Sequence, residues 1–588
     1  MNTPMFCWQC QETHQNHGCT IAGHCGKRSE TANEMDRLIA ALKSFAIALR
    51  AHGVPPTRAD GRLIIRALFL TITNVNFDSG EITKMIDEVS RAHARLCPPR
   101  VCGGSVHQNP QAPNVPSSER SGEKVAEGNG SVCDGKGDTE ASQPSCAAAE
   151  ESVPPTRIVP GVQQIADEDL CSLCELITYG LKGIAAYAEH AAVLGEEDDA
   201  LYSFFVQTLA KLADEQKDPD FSTLAKHRRL TSLIERVHET GLMAVRAMEL
   251  LDRANTQRFG NPELTTVRTG VGARPGILIS GHDLLDLYEL LEQTAGQGID
   301  VYTHGEMLPA HAYPELKKYP HLVGNYGGSW FHQPEEFTAF QGPILMTTNC
   351  IVPVREAYKD RIFTTGVVGY PGVKHIADRA IGGSKDFSPI IAMAKTSPPP
   401  LPLPSPEACV QMGCTPTETL TIGAAHHQVL AIADKVVAAI RSGQIRHFVV
   451  MAGCDGRHSQ RSYFTEFAYQ LPQDTVILTA GCAKYRYHRL PLGDINGIPR
   501  VLDAGQCNDS YSLVRIAMAL KDAFGLTDLN ELPLSFEIAW YEQKAVAVLL
   551  ALLALGLKKI RLGPTLPAFL SPTVLEYLVK TYEIGPTA

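Results

Sequence analysis

The sequence predicts a multidomain protein of mixed class: an N-terminal helical-bundle domain followed by two parallel-sheet α/β domains. Three observations carry this reading. Up to about residue 260 the apolar residues recur at helical spacing. Beyond it, short apolar runs alternate with helical patterns, the texture of βαβ units. A proline-rich stretch, Ser397–Pro406, then divides the α/β part in two. The 588 residues suffice for three or four such units at roughly 150 residues each.

In chain order, helical periodicity begins near Asn33 (Leu38, Leu42, Phe45, Leu49), after the start signals Ser29 and Thr31. It resumes over Arg62–Ile72 and Ile82–Leu96. Residues 98–161 are rich in Pro, Gly, Ser and Asn and read as a disordered polar insert, with Cys97, Cys102, Cys133 and Cys146 in or beside it as bystanders. Helix returns over Asp167–Val193, Ala200–Asp214 and Thr231–Thr256. Cys171 and Cys174 form a CxxC inside the first of these and read as buried packing. The expected domains are therefore 1–259, 260–396 and 410–588, with a linker at 397–409.

Composition narrows the function. A net charge of −11 without a long Lys/Arg cluster argues against nucleic acid or an anionic membrane as the main partner. Met1–Cys10 lacks the apolar core of a signal peptide. The longest apolar run, Ala545–Leu557, is too short to span a bilayer. A cytoplasmic protein is expected, in which sixteen cysteines read as metal ligands, catalytic groups or core residues before disulfides.

Four of them, Cys7, Cys10, Cys19 and Cys25, lie within the first 25 residues among Gly18, Gly23 and Gly26. Four thiols so close suit a [4Fe–4S] cubane or a tetrahedral zinc site. Further along, six apolar runs each end in a small-residue turn bearing a ligand type: Ser280–Asp283 with His282, Thr303–Glu306 with Glu306, Thr347–Cys350 with Cys350, Ala452–Asp455 with Cys454, Thr479–Cys482 with Cys482, and Asp503–Cys507 with Cys507. Ligands of open α/β sheets bind outside the carboxyl ends of the strands. One of these turns alone is usually a buried thiol or a helix cap, but six in concert point to a mixed thiolate, imidazole and carboxylate centre. A seventh segment, Trp540–Lys544, opens a buried helix with Glu542 and Lys544 against an apolar wall. Gly270–Val271–Gly272 precedes a strand instead of following one, so the dinucleotide fingerprint fails its context.

These motifs, from MFCWQCQET and GCTIAGHCGK through ILISGHDL, YTHGEMLPAHAYP, TTNCIVPV, VVMAGCDG, LTAGCAKY and LDAGQCND to EIAWYEQKAVA, resemble the hybrid cluster (prismane) protein family over nearly the whole chain. The short-spaced N-terminal box resembles the class that holds [4Fe–4S]. The resemblance implies that Cys7, Cys10, Cys19 and Cys25 ligate that cubane. It implies that His282, Glu306, Cys350, Cys454, Cys482, Cys507 and Glu542 hold a hybrid [4Fe–2O–2S]-type cluster, with Cys454 as a possible persulfide. Glu542, Lys544 and Cys454 would be the catalytic groups, and the two α/β domains would be Rossmann-like. The implied activity is reduction of small nitrogen oxides, hydroxylamine to ammonia and water or nitric oxide to nitrous oxide in nitrosative-stress defence. Electrons would come from an external reductase or a ferredoxin-like carrier, and the protein would be a monomer or homodimer. The rival readings are a carbon monoxide dehydrogenase-like enzyme and a non-catalytic redox or S-nitrosylation factor.

Overall fold

A computed structural model describes residues 4–96, 165–220, 222–380 and 382–587. The expected insert and Cys97, Cys102, Cys133 and Cys146 lie outside the described residues.

Among the described residues, six α-helices form the N-terminal part: α1 (Ser29–Ala51), α2 (Arg58–Leu70), α3 (Ser79–Leu96), α4 (Glu168–Val193), α5 (Asp199–Lys217) and α6 (Thr223–Phe259). Thr57 and Asp60 start α2 with a reciprocal capping box, and Asp167 caps α4. α1 starts earlier than its apolar periodicity, at the Ser29 start signal, and α6 begins eight residues before the expected Thr231, because the charged stretch Thr223–Leu230 carries no apolar stripe. α4 is apolar nearly all round and accordingly buried, with Cys171 and Cys174 in its packed face. It packs against α2, α6 and a helix from the far end of the chain, Gln543–Ala554.

That last helix approaches α4 and α6 through glycines. A Cβ on Gly241 would lie 2.1 Å from the Leu550 carbonyl oxygen, and one on Gly183 2.4 Å from that of Gln543. The Gln543–Ala554 helix is thus part of the core built by the N-terminal helices.

Strands β1 (Thr265–Arg268), β2 (Gly276–Ser280), β3 (Asp300–His304), β4 (Leu322–Asn325), β5 (Ile344–Met346), β6 (Ile362–Thr365) and β7 (Lys374–Ile376) follow. All but β1 form one sheet in the order β4-β3-β2-β5-β6-β7, every pair parallel. β8 (Thr419–Ile422) pairs antiparallel with β1 and so ties the two α/β parts together. β9 (His447–Gly453), β10 (Thr475–Thr479), the small hairpin β11 (Asp494–Ile495) and β12 (Ile498–Pro499), β13 (Val501–Asp503), β14 (Leu534–Ala539), β15 (Ile560–Gly563) and β16 (Gly585–Pro586) complete the chain. The second sheet runs β13-β10-β9-β14-β15-β16 and is also wholly parallel. β2, β3, β5, β6 and β10 are buried throughout, and the apolar stretches read in the sequence fall within or overlap β2, β3, β5 and β10.

In each sheet the strand order reverses once, between β2 and β5 and between β9 and β14. A crevice opens at the carboxyl ends where an order reverses. Among the described residues no helix is long and apolar enough to cross a membrane.

Candidate functional site

The two reversal points supply the site. β2 runs into His282 and its neighbour β5 into Cys350; β9 runs into Cys454 and its neighbour β14 into Glu542. β3 adds Glu306, β10 adds Cys482 and β13 adds Cys507. Two glycines let these ends close up. Gly453 has φ +107° and a Cβ there would lie 2.0 Å from the Ala539 carbonyl oxygen; Gly481 has φ +88° and its Cβ would lie 2.5 Å from the carbonyl oxygen of Gly453. Only a residue without a side chain lets three strand ends stack this closely.

His282 Nε2, a Glu306 carboxylate oxygen and Cys507 Sγ all lie within 4.8 Å of one another. The imidazole is 3.7 Å from Glu306 Oε2 and 3.8 Å from the Cys507 sulfur, and the Cys507 amide donates to Glu306 Oε2 at 2.9 Å. Cys482 lies beside Glu306, Cys350 and Cys454. Cys454 lies beside Glu542 and Cys507. Cys350 faces Lys544, Glu542, Glu306 and Cys454, and its backbone is held in the left-handed region at φ +75°. Strained backbone of that kind concentrates at functional positions. His282, Glu306 and Cys507 therefore stand within ligand reach of one another, with Cys350, Cys454, Cys482 and Glu542 in their electrostatic neighbourhood.

Lys544 lies in the middle of them. Its ammonium donates to His282 Nε2 and to Asn349 Oδ1, each at 2.9 Å, and stands 3.9 Å from Glu542 Oε1. Burial works against this charge, yet Cys507, Glu542, Cys350 and Glu306 hold the ammonium above the usual lysine range. Glu542 caps its helix by accepting from the Lys544 amide at 2.8 Å. Burial raises both carboxyls, Glu306 and Glu542, and pushes the Cys507 thiol up to about 11. It lifts Cys350, Cys454 and Cys482 as well and, with Lys544 beside it, keeps His282 neutral.

The donors fit a cationic inorganic centre. Glu306 Oε1 is buried and has no hydrogen-bond donor among the described residues. Ionising four thiols and two carboxyls around one ammonium needs further positive charge, which metal ions supply while releasing the thiol protons.

A layer of residues that the sequence reading left unassigned orients the donors. Thr348 Oγ1 accepts from the His282 amide at 2.8 Å and reaches Nδ1 of the same residue at 3.3 Å. Gln506 donates to the carbonyls of His282 and Glu306 at 3.1 and 2.8 Å. From α4, the buried Tyr187 hydroxyl lies near the Cys507 thiol without a hydrogen-bond partner among the described residues, and His190 stacks on His282 with ring centroids 6.1 Å apart. Thr348, Asn349 and Gln506 are next to, or two residues from, an expected ligand, a signal the sequence offered. Tyr187 and His190 sit in an apolar helical pattern that gives no such sign.

Cys7, Cys10, Cys19 and Cys25 line a second, small cavity together with Lys27, Asp36, Glu175 and Lys182. Cys7 and Cys19 exchange backbone hydrogen bonds of 3.0 and 2.8 Å, and the His14 amide donates to Cys19 Sγ at 3.4 Å. Burial pushes Cys7 up to about 12 and raises Cys10 and Cys25. The box is fastened directly to the first centre. Gln11 N donates to the Tyr541 carbonyl at 2.9 Å and Gln543 Nε2 to the Gln9 carbonyl at 2.8 Å, bracketing Glu542.

Residues 5–588 match the Prismane/CO dehydrogenase family. The hydroxylamine reductase of Nitratidesulfovibrio vulgaris is 52% identical over 587 residues, covering 99% of this chain and 97% of its own. Those of Desulfosudis oleivorans and Chlorobaculum tepidum are 53% and 52% identical, each covering 99% of this chain and 97% of their own. Among solved structures, the carbon monoxide dehydrogenase IV of Carboxydothermus hydrogenoformans has a TM-score of 0.50 at 14% identity, covering 98% of this chain and 89% of its own. The alpha subunit of an acetyl-CoA synthase/carbon monoxide dehydrogenase has 0.51 at 13% identity, covering 99% and 84%. That likeness is one of fold. The chain belongs to the Prismane/CO dehydrogenase family.

Proposed function

We infer that this chain is a hydroxylamine reductase, adding two electrons and two protons to hydroxylamine to give ammonia and water. The observation that carries the reading is the meeting of His282, Glu306 and Cys507 at the strand ends of two sheets, with Cys350, Cys454, Cys482 and Glu542 at neighbouring strand ends and every one of the seven buried or half-buried. Relatives of that name, about half identical along nearly the whole chain, support it.

His282, Glu306, Cys350, Cys454, Cys482, Cys507 and Glu542 would hold a hybrid iron–sulfur–oxygen cluster, with Cys454 the candidate persulfide, and Cys7, Cys10, Cys19 and Cys25 a [4Fe–4S] cluster. When bound, the hybrid cluster supplies an iron that can take the nitrogen or oxygen of the substrate and the electrons that break its N–O bond. The chain supplies the rest. Lys544 keeps an ammonium proton beside Glu542 and His282, placed for delivery to a nitrogen or oxygen at the donor set. Asn349 fixes that ammonium, and Thr348 fixes the imidazole. The Gln11–Tyr541 and Gln9–Gln543 hydrogen bonds give electrons a short bonded route from the N-terminal box to Glu542.

Ammonia formation from hydroxylamine, driven by a reduced viologen dye and the anaerobically purified protein, tests this. Ammonia in proportion to the dye oxidised is the expected result. No ammonia above the protein-free blank, from protein loaded with iron and sulfide, would overturn it. Carbon monoxide oxidation, the rival activity, would go with bound nickel.

A further inference from the structure

Cys409 and Cys414, like Cys171 and Cys174, take no part in either centre. Cys409 lies in the short helix Glu407–Met412, and Cys414 follows it. The helix ends in a Schellman motif: Gly413, at φ +62°, donates to the Val410 carbonyl at 3.3 Å, and Cys414 N donates to the Cys409 carbonyl at 3.0 Å. This cap brings the residue before the last helical turn and the second residue after the helix side by side, where an apolar pair usually closes the end. Here the pair consists of two thiols, both packed on the apolar cluster around Ala483 and Tyr487. The 3.0 Å bond from Cys414 N to the Cys409 carbonyl holds their backbones close together, as a disulfide requires.

The two differ in access. Cys409 is 1% exposed, packed with Ala483 and Tyr487, and its thiol points at the Arg489 carbonyl at 3.5 Å. Cys414 is half-buried and open to solvent on one side. Burial pushes the Cys409 thiol up to about 11, which suits it poorly to attack a reagent from solution.

We propose that Cys409 and Cys414 form a redox-active dithiol that closes reversibly to a disulfide by exchange with a small disulfide such as oxidised glutathione. The Cys414 thiolate attacks one sulfur of the reagent; the reagent's S–S bond breaks and one small thiol leaves. Cys409, losing its proton, then attacks the Cys414 sulfur and expels the second small thiol. Two electrons pass from the protein pair to the reagent, and the two protein thiol protons end on the two small thiols. The site is separate from the reaction proposed above. It places a thiol–disulfide couple behind the segment that carries Cys482, on a helix whose Glu407 reaches Arg486 at 3.7 Å, itself bonded to Asp455 next to Cys454 at 2.7 Å.

Trypsin releases Thr396–Lys435, a peptide holding these two cysteines and no others. The iron-loaded full chain is equilibrated with mixtures of reduced and oxidised glutathione, quenched with iodoacetamide and digested. The expected result is a peptide lighter by two hydrogens and free of alkyl groups at the oxidising end, converted to the doubly alkylated form by dithiothreitol. Cys409→Ser should instead trap glutathione on Cys414. A wild-type peptide that stays doubly alkylated at every ratio, or that keeps glutathione on Cys414 with Cys409 alkylated, would overturn the proposal.

Discussion

Glu542 does two jobs at once, capping the buried Gln543–Ala554 helix and facing Cys454 across the donor set. Glu542→Gln keeps an oxygen for the cap and removes the ligand charge. Turnover should fall by about 100-fold or more, with the N-terminal box keeping its iron; Cys454→Ala should behave alike. Iron content and ammonia yield measured on one preparation check this, and a variant retaining wild-type rates would remove both residues from the centre. Gly453 is the matching structural position. Gly453→Ala combines φ +107° with a 2.0 Å approach to the Ala539 carbonyl, so it should destabilise the fold by roughly 2–4 kcal/mol, read as a lower thermal midpoint. At this scale six expected donors were legible because each follows an apolar run in a turn with glycine, alanine, threonine or asparagine beside a ligand type, whereas Glu542, between Tyr541 and Gln543, became an expected donor only through the resemblance. Their supports were legible only where adjacent in sequence. Tyr187 and His190 reach the site from α4, and nothing local separates a ring that packs from one that orients a ligand.

The element that couples the halves is the Gln543–Ala554 helix. Gly183 meets it at Gln543, immediately after Glu542, whereas Gly241 meets it a few turns away at Leu550. Alanine at either position forces the helices apart and should cost about 1–3 kcal/mol. Activity should separate the two: Gly183→Ala displaces Glu542 and lowers turnover well beyond what Gly241→Ala does at equal loss of stability. Thermal melts paired with rates on both variants decide it, and equal rates would place Glu542 outside the chemistry. Helix starts were the least legible feature at this scale. α6 opens with Thr223–Leu230, which is charged and without an apolar stripe, and tertiary packing further along its length sustains the helix. The strands that end in ligand turns, β2, β3, β5, β9, β10 and β13, were plain because burial leaves little polar alternation to confuse them, whereas β4, β6, β7, β15 and β16 carried no such mark in the sequence.

Across the whole molecule, the donor set is assembled from residues 282 to 542, and the first 25 residues return to dock on Tyr541, Gln543 and Arg457. The polar stretch 98–161 carries none of the expected ligand motifs. Replacing it with a short Gly/Ser linker should leave the ammonia-forming rate within about twofold, well inside the range of surface changes that touch no named feature; loss of activity would give that stretch a part in the enzyme. That two sheets present their reversal points to each other could not be read from sequence, since periodicity specifies strands and not which sheet edges meet. The resemblance of the motifs supplied that juxtaposition as an expectation, and the strand order gives its physical basis.

The central claim is that this chain carries two iron–sulfur centres, one on the N-terminal cysteines and one on the strand-end donors. Iron, nickel and acid-labile sulfide, counted on anaerobically purified protein, test it most directly. The account predicts roughly eight irons per chain and no nickel. About four irons would leave one donor group empty and contradict it, and stoichiometric nickel would transfer the second site to carbon monoxide chemistry.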